Sequence, residues 1–225
     1  NKSANKYYNI TTGLNYDFSE KTSGNASVML RKMDNESDGN TTYSERLIQK
    51  NILDPNYPEI PYTTLNVNRN RINTGVSDNF SYQFDAGLDH KFNDSGHLVT
   101  FSGSYQDSKN NGSSIIEEYS NVAANKLNQI FQDTKNKTYI LKADYELPIG
   151  EKSKLEAGAR WDKNKNDYNY LVNKETTPNV FEILPLFTSV TNYYETITAG
   201  YAQFKSKIGE KFGYQLGARV ENTLI

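Results

Sequence analysis

Hydrophobic and polar residues alternate one by one along eight stretches of this chain. In residues 154–162, Leu155, Ala157, Ala159 and Trp161 fall on one side, and Glu156, Gly158, Arg160 and Asp162 on the other. The pattern returns near the C-terminus, with Tyr214, Leu216, Ala218 and Val220 opposite Gln215, Gly217, Arg219 and Glu221. Both copies carry Gly-Ala-Arg-x-acid. Side chains alternate across a strand, so each copy predicts a β-strand with one apolar and one polar face.

The same alternation predicts strands at 8–18, 24–30, 80–92, 98–105, 139–147 and 194–206, beside 154–162 and 212–221. Short polar turns join them in pairs, and Asn93-Asp94-Ser95-Gly96 has the strongest turn chemistry of these. Between the pairs lie long polar stretches at about 31–79, 106–136 and 163–191, expected as loops. The first holds Pro55, Pro58 and Pro61, which break a strand ladder, although 63–71 reads as a strand extension. Residues 115–131 read as a short helix.

The expected fold is therefore all-β: an antiparallel sheet of four hairpins in which tight turns alternate with long loops. Loops of that length are uncommon in compact soluble domains. They are usual in outer-membrane β-barrels, which have short periplasmic turns and long external loops. Aromatics fit the same picture. Phe18, Phe92, Phe212 and the apolar Leu147 sit beside the tight turns, and Tyr8, Tyr105 and Trp161 near the long-loop ends, as two interfacial belts require. Two other architectures remain open. A self-contained eight-stranded barrel with a structural or adhesive role would pair 212–221 with 8–18. A secreted β-sandwich binding module would bury the apolar face under a second sheet.

Composition narrows function more than fold. The 225 residues carry 25 Lys+Arg against 27 Asp+Glu, a net charge of −2, so no basic field exists to attract nucleic acid. Cysteine is absent, which excludes disulfides and thiolate metal sites. Hydrophobic residues make up 36%, and no apolar run reaches the roughly 18–20 residues of a transmembrane helix. Seventeen tyrosines stand in an Asn/Ser/Thr-rich background.

Candidate chemistry is sparse. Arg160 with Asp162, and Arg219 with Glu221, share the polar face at a spacing of two, and in a barrel they would form lumen ion pairs. The glycines beside them would admit a plug or inward loop. Asp34, Glu36, Asp38, Asn40 and Glu45 fall at positions 1, 3, 5, 7 and 12 of a calcium-loop spacing, with Gly39 at the sixth. They are the candidate Ca²⁺ ligands and the sole cofactor expectation. His90 and His97 flank one turn, too few for zinc. No nucleophile triad, phosphate loop or carboxylate pair appears, so an enzyme is not expected. The Asn-x-Ser/Thr sequons follow from composition.

Gly-Ala-Arg-Trp-Asp, and Ala199-Gly200-Tyr201-Ala202-Gln203-Phe204 leading to Leu216-Gly217-Ala218-Arg219-Val220-Glu221-Asn222-Thr223, resemble the barrel of TonB-dependent outer-membrane receptors. The resemblance implies a bacterial outer-membrane protein with lipid on its apolar face. It implies partners in a nutrient ligand (a metal chelate, an oligosaccharide or a peptide) and in the TonB system. Barrels of that family have 22 strands around an N-terminal plug. The plug and TonB box have no counterpart in these residues, so the chain is expected to be part of the wall of a larger barrel.

Overall fold

A computed structural model describes residues 2–50 and 62–225. They form one antiparallel sheet of nine strands and a single 3-10 turn at Pro185–Phe187. The strands are β1 (Lys2–Ser19), β2 (Thr22–Lys50), β3 (Tyr62–Lys91), β4 (Leu98–Ser120), β5 (Lys126–Ile149), β6 (Ser153–Thr177), β7 (Val180–Ile183), β8 (Ser189–Ile208) and β9 (Phe212–Leu224). The order is β1-β2-β3-β4-β5-β6-β8-β9, with the short β7 also on β6. Every neighbour is antiparallel, as consecutive hairpins must be.

Alternation fixes the register. One rung crosses the sheet through Tyr16, Gly24, Leu88, Phe101, Ala143, Ala159, Gly200 and Val220. A slip of one residue would turn a strand's apolar set to the other face, so pairing holds in this register over the whole width.

The expected strands lie within observed ones, except that 80–92 overruns β3 by Phe92, and the observed strands are far longer. β2 has 29 residues and β3 has 30, where a tilted membrane strand needs about 9–11. At about 3.3 Å per residue such strands run roughly 100 Å. Most of the expected loops at 31–79, 106–136 and 163–191 are therefore ladder, and 63–71 does extend β3. The helix expected at 115–131 is absent: Ile115–Ser120 ends β4, and Lys126 onward begins β5. In both cases backbone pairing overrides side-chain pattern, since a ladder satisfies every N–H and C=O of a polar segment without needing an apolar face. Pro55, Pro58 and Pro61 lie outside the described residues.

At one end β1–β2, β3–β4, β5–β6 and β8–β9 are joined by tight turns, with Gly150 and Gly209 at φ 63° and 67°, a region open to glycine at little cost. Among the described residues β1 and β9 have no partner beyond β2 and β8. The pairing required by a self-contained eight-stranded barrel is therefore not made. Nor, among the described residues, does a second sheet cover the apolar face, as a sandwich requires.

Burial is inverted relative to a soluble protein. On the apolar face Leu14, Phe84, Phe101, Leu141 and Leu216 are exposed, Leu141 at 57%. On the polar face Ser81, Glu156 and Asp162 are buried at 9% or less. Water-facing proteins bury apolar groups and leave carboxylates out.

Candidate functional site

The buried carboxylates mark the densest chemistry, on the polar face near the tight turns. The registers Glu146↔Glu156↔Gln203 and Pro148↔Lys154↔Lys205 bring three strands together. Glu156 sits at the centre. It accepts hydrogen bonds from Lys205 Nζ at 3.1 and 2.9 Å and from Gln203 Nε2, and it pairs with Lys154 Nζ at 2.9 Å. Lys154 also pairs with Glu146, and Gln215 Nε2 donates to Gln203 Oε1 at 2.6 Å. Each charge thus has an opposite neighbour, which lets a carboxylate persist out of water.

Arg160 and Asp162 do pair, through Nε at 3.0 and 2.7 Å from the two carboxylate oxygens. Arg219 Nη2 lies 2.6 Å from Glu221. Both contacts run along a single strand. Of the four residues Asp162 is buried, while Glu221 and Arg219 are exposed. The interstrand network that the Arg–acid motif suggested is built instead by Glu156, Lys154 and Lys205. Nothing in a single strand's pattern reveals that, because it depends on how β5, β6 and β8 are aligned.

Two motif glycines serve neighbouring side chains. A Cβ on Gly158 would overlap Asp144 Oδ1 and the Tyr201 ring. Tyr201 is directly opposite Gly158 and donates to Asp144 Oδ1 at 2.7 Å. A Cβ on Gly217 would come within 2.9 Å of Gln203 Cβ, its cross-strand partner. In this structure the close approach at these glycines is made by the adjacent strand.

The candidate calcium loop is laid out straight. Asp34, Glu36, Asp38, Asn40 and Glu45 all lie on β2, paired residue by residue with β3. A calcium loop must curl so that ligands converge at 2.3–2.6 Å, whereas alternate residues of a strand stand roughly 6.6 Å apart. Asp34 pairs with Lys32 at 3.5 Å and Glu45 with Arg69 at 3.9 Å. No group of three metal-binding side chains converges among the described residues.

His90 and His97 flank Phe92, with ring centroids 4.8 and 4.3 Å from it. His90 bonds Thr22 Oγ1 at 2.8 Å, and His97 Nε2 lies 2.7 Å from the Tyr145 hydroxyl. They build an aromatic cluster at the tight-turn end. A second cluster joins Tyr82, Tyr105 and Tyr139, with centroids 6.0 and 4.8 Å apart.

Beyond the Tyr82–Tyr105–Tyr139 cluster, away from the tight turns, the polar face carries an uncharged zone between the rung of Arg31 and the rungs of Lys174 and Arg71. Its rungs there read Tyr7, Met33, Asn79, Asn110, Thr134, Tyr168, Thr191, then Asn5, Asn35, Ser77, Gly112, Gln132, Tyr170, Ser189. Neither rung holds an ionisable acid or base other than tyrosine. Farther out, on the opposite face, Tyr119 donates to Glu117 at 2.6 Å, and that hydrogen bond holds its phenol above the ordinary range.

A single antiparallel sheet with aromatic belts, an uncovered apolar face and buried charges opposite defines the wall of a transmembrane β-barrel. The chain belongs to the outer membrane protein beta-barrel family, whose sequence profile matches residues 90–225. It is thus a bacterial outer-membrane protein, with lipid on the apolar face and the lumen on the other. No curated protein sequence matches it. Among solved structures it is similar to the RagAB peptide transporter, at 9% identity and a TM-score of 0.46, over 96% of this chain and 32% of that one. It is also similar to two proteins of Acinetobacter baumannii. The siderophore receptor PiuA is 10% identical at a TM-score of 0.32, over 98% of this chain and 45% of that one. The ferric preacinetobactin receptor BauA is 8% identical at 0.39, over 98% and 39%. The chain therefore spans 32–45% of the length of these transporters and receptors.

Proposed function

We propose that this chain forms part of the wall of a TonB-dependent-receptor-like importer that captures a scarce nutrient outside the cell and passes it through the lumen. In this reading the TonB system supplies the energy and the chain itself performs no catalytic step. The observation that carries it is the lumen face above the membrane, where two consecutive rungs across seven strands offer amides, hydroxyls and phenols without a formal charge. Such a surface suits a ligand rich in neutral hydroxyl or amide groups. Tyr168 and Tyr170 give it flat apolar area with a polar tip, and desolvating neutral groups costs far less than desolvating charges. Among the nutrients such importers carry, this favours an oligosaccharide, or a neutral peptide segment, over an anionic metal chelate.

Equilibrium binding by the detergent-purified protein tests this. Neutral oligosaccharides or peptides should bind in preference to ferric catecholates, and Tyr168→Ala with Tyr170→Ala should together weaken that binding by roughly tenfold or more, at ~0.5–1.5 kcal/mol per lost aromatic contact. Selective binding of charged chelates, unaffected by the two substitutions, would refute the reading.

A further inference from the structure

The lipid face ends at its external edge in a cluster of lysines. Lys137 stands two residues beyond Tyr139 on β5, and Lys163 two beyond Trp161 on β6. Lys165 is directly opposite Lys137, and Lys109 directly opposite Lys135. All five share the face of Leu141 and Phe101, so they project outward from the barrel: Lys163 level with Tyr105 and Tyr139, Lys137 and Lys165 level with Tyr82, and Lys109 and Lys135 just beyond that belt.

Like charges directly opposite on neighbouring strands destabilise a sheet, and here two such pairs adjoin. Internal compensation is partial. Asp107 pairs with Lys137 at 3.3 Å, and the same carboxylate accepts from Tyr82 and Tyr105, each at 3.2 Å. Asp167 is opposite Lys135 in register, yet among the described residues no carboxylate lies within 4.0 Å of Lys109, Lys135, Lys163 or Lys165. Four cations thus stand unpaired at the height where acyl chains give way to headgroups. The rigid sheet fixes their spacing at about 5 Å across strands and roughly 7 Å along them, a span that one multiply charged headgroup can bridge.

We propose that Lys109, Lys135, Lys163 and Lys165 form a binding site for the phosphate groups of outer-leaflet lipid, with the tyrosines beside them packing against the same lipid's acyl chains. The site lies on the outside of the barrel and is independent of any imported ligand. A bound phosphorylated lipid would cancel the repulsion between opposed lysines and pin the barrel's height and tilt in the membrane. Juxtamembrane lysines attract anionic lipid additively, and their long stems let the ammonium reach the headgroup plane.

The test reconstitutes the purified protein in phosphatidylcholine vesicles doped with a bisphosphorylated glycolipid, or with the same glycolipid stripped of its phosphates. Lipid retained through detergent washing is then counted by native mass spectrometry. The wild-type protein should retain the phosphorylated form in preference by roughly tenfold or more, as several juxtamembrane lysines imply. The K109Q/K135Q/K163Q/K165Q variant should lose the preference, while K152Q, at the opposite end of the barrel, should keep it. Inorganic phosphate should not displace the lipid. Equal retention of the two glycolipids by wild type overturns the proposal without recourse to any variant. So does an undiminished preference in the folded fourfold variant, and displacement by inorganic phosphate would mean a free-anion site instead.

Discussion

Glu156 holds more of this structure than the arginines that first draw the eye. It is buried, with two lysines and a glutamine on it, whereas Arg219 and Glu221 are exposed. Truncating a buried, charge-assisted acceptor leaves its partners unsatisfied, at about 1–3 kcal/mol. Exposed ion pairs contribute on the order of 0–1 kcal/mol. Glu156→Ala should therefore lower the thermal midpoint in detergent several degrees, and Arg219→Gln scarcely at all; equal effects would show the network to be incidental. Gly158 makes a second prediction. Gly158→Val places a side chain where Tyr201 lies over it, so the Tyr201–Asp144 hydrogen bond should break, at a cost of roughly 1–3 kcal/mol. Adding Tyr201→Ala should recover part of that loss if steric overlap is the cause. At this scale the sequence was informative about residue type but not about partners. Arg160 with Asp162 could be read from a spacing of two, but Glu156 with Lys205 needs the register of two strands.

At the scale of the element, the lipid-facing parts of the strands were legible and their extensions were not. Residues 139–147 alternate because one side meets hydrocarbon and the other the lumen, so selection on hydrophobicity writes a period of two. Beyond the belts both faces meet water. Residues 66–73 and 110–114 are then mostly Asn, Ser, Arg and Gly on either side, and the period vanishes although the ladder continues. The acidic run from Asp34 to Glu45 shows the converse: its spacing fits a calcium loop only while the backbone is imagined to curl. Alternation also predicts which face tolerates charge. Leu141→Lys, at the middle of the apolar face, should destabilise the protein in vesicles by about 2–4 kcal/mol, while Lys142→Leu on the lumen side should cost far less. Guanidinium unfolding in lipid vesicles reads the difference, and the reverse ranking would put water on the apolar side.

For the whole molecule, the decisive fact is the combination of an uncovered apolar face with buried carboxylates on the other side. In water an exposed sheet of Leu, Phe and Tyr would aggregate; in a membrane it is the surface that binds the protein there. The alternation and turn spacing already favoured this architecture over a sandwich, and the single-layer sheet and the family match bear it out. Where the sheet's two edges are satisfied is a property of the assembled barrel, not of any strand within it.

Trp161 offers the most direct test, because it is the protein's one tryptophan and shares the apolar face with Leu141, its cross-strand neighbour. The measurement is quenching of its fluorescence in vesicles by lipids brominated along the acyl chain, set against quenching by iodide in the aqueous phase. With lipid on the apolar face, brominated acyl chains near the interface should quench strongly and iodide little. Efficient quenching by iodide with none by brominated lipid would place the apolar face in water and contradict the assignment of lipid to that side.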